Sequence, residues 1–138
     1  MKPENKRLID DFLTHADDLS DDIMADVEEM LGIMPFIIPI LRNRPDTFAL
    51  SILADYQISR PDSLDPKTAE LIAVAAAAGA GADSCLKVRI GAALKEGASR
   101  DEILDVLLIA AMIGKTRVLA SALRRYREVC GDGQGAGE

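Results

Sequence analysis

Apolar residues recur at helical spacing along most of the chain, and strand-like alternation of apolar and polar residues is missing. Pro3 suits a first helical position, and the apolar positions after it keep the helical period at Phe12 and Leu19. Ser20 is placed to cap a second helix, for which Gly32 is a natural end. The pattern therefore predicts two helices before residue 33.

The most apolar short run is IMPFIIPIL, residues 33–41. Its two prolines exclude a central strand and interrupt any long helix, so we expect a short helix or turn packed on the core. Pro45 then opens a helix through about Ile58. The following SRPDS, residues 59–63, is typical of a turn and forms the clearest joint in the chain.

Asp65 and Pro66 form a strong helix start, with the aspartate as N-cap and the proline in the first turn. The helix that follows is almost entirely apolar and ends at the glycines 79 and 81. Asp83 is a plausible N-cap for the next helix, residues 84–96, and Gly97 suits its C-terminal end. A helix–turn–helix unit is therefore expected over residues 65–97.

A capping box at Ser99 and Glu102 predicts another helix. Gly114 is expected to interrupt it, and Thr116 to cap a final helix through Val129. Residues 130–138 (CGDGQGAGE) have the composition of a flexible tail. The chain as a whole is predicted to be all-α, a single-domain bundle of about six to eight helices over residues 1–129.

The composition argues against several classes of function, among them nucleic-acid binding and metal binding. The chain has 138 residues, 49% hydrophobic and 4% aromatic, with a net charge of −7, which excludes binding to nucleic acid through phosphate contacts. No secretory signal and no membrane span is visible, so the expected location is cytoplasmic.

Two distant cysteines form neither a zinc pattern nor a disulfide framework. His15 lies among aspartates, where a solvated acidic face is favoured over a metal site. No metal and no cofactor is predicted.

Three residues of the helix–turn–helix unit at residues 65–97 could take part in catalysis: Glu70, Cys85 and Arg89. If Asp83 caps its helix, Cys85 falls in the first turn, where free N–H groups and the helix dipole favour a thiolate. Arg89 lies one turn later on the same face, and its positive charge acts in the same direction. The alternative is that Cys85 is simply a small buried apolar residue.

Glu70 is the one charged residue in an otherwise apolar helix segment, residues 69–82. A buried carboxyl group there could transfer protons near neutral pH. The alternative is that Glu70 points outward and pairs with Lys67 or Arg89. Residue spacing leaves both open.

Residues 64–123 resemble the carboxymuconolactone decarboxylase family, which includes the alkyl hydroperoxidase D branch. The resemblance lies in LDPKTAE at residues 64–70, ADSC at 82–85, GAALKEGAS at 91–99 and DEIL at 101–104, with a weaker match at GIMP, residues 32–35. It implies an all-helical fold of the alkyl hydroperoxidase D-like type. It also implies a homo-oligomer, a hexamer built as a trimer of dimers or a trimer.

Peroxidase members of that family carry a glutamate, a Cys-x-x-Cys and a histidine four residues later. By resemblance, Glu70 matches the proton-relay glutamate and Cys85 the second, peroxide-reacting cysteine. The first cysteine position is Ala82 and the histidine position is Arg89. An intramolecular Cys-x-x-Cys disulfide is thus excluded, and arginine cannot accept a proton. Peroxide reduction would need a single-cysteine cycle resolved by an external thiol or by Cys130.

Three functions follow as hypotheses. The first is a thiol-dependent peroxidase or oxidoreductase of peroxiredoxin type, with Cys85, Glu70 and Arg89 as catalytic residues. The second is a cofactor-free decarboxylase or related enzyme on a small organic acid, in which Glu70 is the acid/base and Arg89 binds the carboxylate. The third is a non-catalytic oligomeric binding protein. If the chain is an enzyme, peroxidase activity is favoured over decarboxylation, and its partners are a small-molecule substrate or a thiol reductant.

Independently of the family resemblance, two segments indicate that the chain self-associates. The helix over residues 71–82 is apolar on all sides, and residues 33–41 add a second apolar surface. Both together exceed what one small helical subunit can cover.

Overall fold

The computed structural model describes residues 1–131, which form seven helices and no strand. This confirms the predicted all-α class. The helices are α1 (Pro3–Thr14), α2 (Ala16–Leu31), α3 (Ile37–Leu41), α4 (Pro45–Ser59), α5 (Pro66–Ala80), α6 (Asp83–Lys95) and α7 (Arg100–Cys130). The predicted flexible tail begins inside α7 at Cys130, and residues 132–138 lie outside the described residues.

The core consists of two apolar clusters that meet at α6. The first joins α2, α3 and α4, and its α6 member is Ala92. The second joins α5 and α7, and its α6 member is Ala93. Both alanines are completely buried, because their short side chains let the neighbouring helices approach closely from two sides. The helix that carries Cys85 and Arg89 is therefore held by both halves of the bundle.

Two helix starts form as their sequences predict. The Asp65 carboxylate accepts a hydrogen bond from the Thr68 backbone N–H at 3.0 Å. At α7, the Ser99 hydroxyl accepts from the Glu102 N–H at 3.0 Å, and the Glu102 carboxylate accepts from the Ser99 N–H at 2.7 Å. These caps fix the entry points of the two helices that pack against α6.

The predicted cap at Ser20 is wrong. Helix α2 already begins at Ala16, and Ser20 lies inside it, fully buried. Its hydroxyl donates to the Ala16 carbonyl oxygen at 2.5 Å. An earlier start is favoured because Asp17 and Asp18 then occupy the positive end of the helix dipole.

The break between α1 and α2 falls at His15. Its Nδ1 atom lies 2.9 Å from the carbonyl oxygen of Asp11. Within residues 1–131, no three His, Cys, Asp or Glu side chains are grouped so that they could hold a metal ion.

The predicted break at Gly114 is also wrong. Helix α7 runs without interruption from Arg100 to Cys130, and the Thr116 hydroxyl donates to the Met112 carbonyl instead of capping a new helix. A single glycine costs about 1 kcal/mol relative to alanine in a helix interior, which is too little by itself to end the helix. Despite the length of α7, no helix in the described part of the chain is long and apolar enough to cross a membrane.

Candidate active site

Glu70 lies on the buried face of α5. It shares that face with Val74 and Ala77, four and seven residues further on, and its side chain is 1% exposed. A fully buried carboxylate is unfavourable unless positive charges and hydrogen bonds replace the lost water. The surroundings of Glu70 supply both.

Two arginines bind the Glu70 carboxylate from different elements. Arg60, in the turn after α4, donates from Nη1 to Oε1 at 2.7 Å. Arg89, on α6, donates from Nη1 to Oε1 at 3.3 Å and to Oε2 at 3.2 Å. Arg60 also donates to Glu96 at 3.2 Å. The result is a partly buried network of two guanidinium groups and two carboxylates that ties together α4, α5 and α6.

This arrangement decides between the two orientations left open for Glu70. The side chain points inward, and it pairs with Arg89 as one alternative expected. Lys67 does not take part, since its Nζ pairs with Glu102 at 2.8 Å. The two guanidinium groups supply hydrogen bonds and positive charge to the buried carboxylate, so Glu70 holds Arg89 in place.

Cys85 is exposed in the first turn of α6. The helix begins at Asp83, with Ala82 as N-cap, so the expected aspartate cap is wrong and Cys85 is the third helical residue. Within residues 1–131 no side chain caps this end, which leaves first-turn N–H groups open to water or a bound anion. The thiol is therefore not buried, in contrast to the alternative of a small buried apolar residue.

Cys85 borders an apolar cavity of about 550 Å³ between α2, α3, α4 and α6. Arg89 and Ser84 contribute polar groups at the α6 side. The remaining wall is mostly aliphatic, and its members include Met30, Met34, Ile38, Ile52, Tyr56 and Val88. A cavity of this size and character suits a small apolar molecule with one polar end.

A second cavity, of about 430 Å³, borders Glu70. Arg89, Asp55 and Ser59 line both cavities, whereas Cys85 lines only the first and Glu70 only the second. The three site residues predicted from sequence therefore line neighbouring cavities and do not all face the same one. Arg89 is the link between the other two.

Sequence reasoning missed Arg60 and Glu96. A signal for Arg60 was present, because the stripe formed by Glu70, Val74 and Ala77 indicates a buried carboxylate that requires a cation. Which cation fulfils that role depends on how the turn after α4 folds back, and residue spacing carries no information on that.

A family model for the carboxymuconolactone decarboxylase family matches residues 45–128. The match covers more than half of the chain and includes every residue of the charged network and Cys85, so the chain belongs to this family. No curated protein and no solved structure gives a match.

Proposed function

We propose that this protein is a thiol-dependent hydroperoxide reductase in which Cys85 reacts with the peroxide. The observation that carries the proposal is the position of Cys85, exposed at an uncapped helix N-terminus and on the border of the 550 Å³ apolar cavity beside Arg89. The cavity offers space for the organic part of a hydroperoxide. The positive end of the α6 dipole and the Arg89 guanidinium group lie on the same helix as the thiol.

The reaction proceeds through one cysteine. The Cys85 thiolate attacks the terminal oxygen of the hydroperoxide, the S–O bond forms, and the O–O bond breaks. The departing alkoxide takes a proton from solvent and leaves as an alcohol, while Cys85 becomes a sulfenic acid. One external thiol then condenses with the sulfenic acid and releases water, and a second external thiol displaces Cys85 from the mixed disulfide.

We propose an external thiol as the reductant because Cys85 has no partner in a Cys-x-x-Cys pair. Ala82 takes the place that a Cys-x-x-Cys pair would need. The other cysteine, Cys130, is the last residue of α7 and is exposed. The reductant in this proposal is therefore a small dithiol or monothiol.

Glu70 has a positioning role in this proposal. Its carboxylate is bound by Arg60 and Arg89 and does not border the Cys85 cavity. It holds the Arg89 guanidinium at the boundary between the two cavities.

The proposal is tested by hydroperoxide consumption in the presence of dithiothreitol, with cumene hydroperoxide as the organic substrate. We expect Cys85→Ser to abolish turnover, because no other thiol borders the cavity. Cys130→Ser is the matched control, since it removes the other exposed cysteine and should leave turnover unchanged. Equal activity of wild type and Cys85→Ser would refute the proposal.

A second candidate function rests on the 430 Å³ cavity, where Glu70 and Arg89 form a polar wall suited to a small organic acid. Here Arg89 would bind the substrate carboxylate, and decarboxylation or simple binding would need no thiol. Calorimetric titration with a dicarboxylate separates the candidates. Binding that survives Cys85→Ser and is lost in Arg89→Gln would favour the organic acid, with the exposed Arg44→Gln as control.

A further inference from the structure

Arg89 has hydrogen-bonding capacity that Glu70 does not use. Both hydrogen bonds to the Glu70 carboxylate come from one nitrogen, Nη1, at 3.3 and 3.2 Å. Among residues 1–131, no group accepts a hydrogen bond from Nε or Nη2 of Arg89, and the side chain is 28% exposed at the border of the Cys85 cavity. Elsewhere in the chain, Arg42 uses these same two nitrogens to bind the carboxylate of Asp21, at 3.0 and 2.9 Å. Arg89 can therefore bind a second carboxylate while it holds Glu70.

The charges around the Cys85 cavity also favour an anion. Among the described residues that border it, Lys87 and Arg89 are positively charged and Asp55 is negatively charged. This border is net positive, although the whole chain has a net charge of −7. The rest of the wall is mostly aliphatic. A cavity with an apolar wall and a cationic edge suits a molecule that has an apolar chain and a negatively charged end.

We propose that the substrates of this site are hydroperoxides of apolar carboxylic acids, whose carboxylate binds Arg89 while the apolar chain occupies the Cys85 cavity. This inference rests on the proposed peroxidase function and names its substrate class. Arg89 follows Cys85 by one turn of α6, about 6 Å along the helix axis, so one small molecule can contact both residues. The carboxylate takes no part in the redox step. The hydroperoxide is reduced to the hydroxy acid, and two external thiols are oxidised to a disulfide.

Binding without turnover tests the preference for an acid. Octanoate and 1-octanol have the same chain length and differ in charge, so both are titrated calorimetrically into the Cys85→Ser variant. We expect octanoate to bind about tenfold more tightly, because only octanoate forms charge-assisted hydrogen bonds with the guanidinium group. Equal affinity for the two probes would overturn the proposal.

Two further variants assign the preference to the cationic edge. Arg89→Gln should abolish the preference for octanoate and leave 1-octanol binding in place, which also shows that the cavity is still formed. Lys87→Gln, at an exposed position, should reduce the preference about threefold through the loss of one nearby charge. The exposed Arg44→Gln is the control and should change neither affinity. An unchanged preference in both cavity variants would overturn the proposal.

Val88 separates this site from the cavity that borders Glu70. It lines the Cys85 cavity and not the 430 Å³ cavity. Val88→Phe should therefore weaken octanoate binding, because the larger side chain takes space from the apolar chain. Unchanged octanoate affinity in Val88→Phe would place the acid outside the Cys85 cavity and overturn the proposal.

Turnover then tests the substrate class itself. Cumene hydroperoxide and its 4-carboxy derivative differ by one carboxylate, and both are assayed with dithiothreitol. We expect kcat/KM to be about tenfold higher for the carboxylated peroxide, and this ratio to fall towards one in Arg89→Gln and at high salt. Turnover of both peroxides at equal kcat/KM would overturn the substrate class alone, whereas turnover of neither would refute the peroxidase function on which it rests.

Discussion

Arg89 joins the buried carboxylate of Glu70, with Nη1 3.2 Å from Oε2, and at the same time lines the cavity that Cys85 borders. Of the two arginines that bind Glu70, Arg89 is the one that also lines the Cys85 cavity. The buried Glu70 carboxylate thus holds the Arg89 guanidinium group at the edge of the Cys85 cavity.

The Glu70 network should contribute strongly to stability. Arg60→Gln removes the shortest hydrogen bond to a carboxylate that is 1% exposed, while Arg89 still pairs with that carboxylate. A hydrogen bond to a charged group contributes about 1.5–3 kcal/mol. We expect this loss in the free energy of unfolding measured by urea denaturation.

Arg42 provides the matched control for that experiment. It also binds two carboxylates, those of Asp17 at 2.8 Å and Asp21 at 2.9 Å, but both are about three-quarters exposed. Solvent-exposed pairs contribute little. Arg42→Gln should therefore destabilise the protein much less than Arg60→Gln, and equal losses would show that the burial of Glu70 has no energetic weight.

Acid should weaken the start of α7. The hydrogen bond from Lys67 lowers the pKa of Glu102 below its ordinary value of 4.5, and the Ser99 backbone N–H acts in the same direction. A lowered pKa in the folded state means that the stabilisation is complete above pH 4.5 and is lost as pH falls through the folded-state value. In urea denaturation, the stability difference between wild type and Glu102→Gln should shrink below pH 4.5. A difference that stays constant with pH would contradict this assignment.

The apolar cavity should determine which peroxides react. Val88, three residues after Cys85, lines the cavity, so Val88→Phe should reduce its free space beside the thiol. We expect the kcat/KM for cumene hydroperoxide to fall by about tenfold or more, while that for hydrogen peroxide stays near the wild-type value. Val129→Phe, at an 86% exposed position on α7, is the size-matched control. Parallel losses for both peroxides would mean that the cavity does not hold the organic group.

The sequence was informative wherever a signal is local. Asp65, Ser99 and Glu102 act within one turn of their own helices, so their caps could be predicted and are confirmed. The predictions for Ser20 and Gly114 are wrong for different reasons. Ser20 is buried inside α2 by tertiary packing, whereas α7 continues through Gly114 because the helix-breaking preference of one glycine is weak.

The candidate site likewise contains residues that local sequence reveals and contacts that depend on the tertiary structure. Glu70, Cys85 and Arg89 stand out by residue type and helical spacing. The contact between Arg60 and Glu70 depends on how a turn folds against a helix face, and the separation of the two cavities depends on where α3 and α4 lie. Neither has a counterpart in the spacing of residues along the chain.

We propose Cys85 as the residue that reacts with peroxide, and Cys130 provides a control within the same chain. Cys85 and Cys130 are both exposed, but only Cys85 lies at a helix N-terminus beside a cavity and an arginine. The most direct measurement is sulfenic acid trapping with dimedone under limiting cumene hydroperoxide, with both cysteine peptides quantified by mass spectrometry. We expect the Cys85 peptide to be labelled well before the Cys130 peptide, and equal labelling of the two peptides would contradict the proposed role of Cys85.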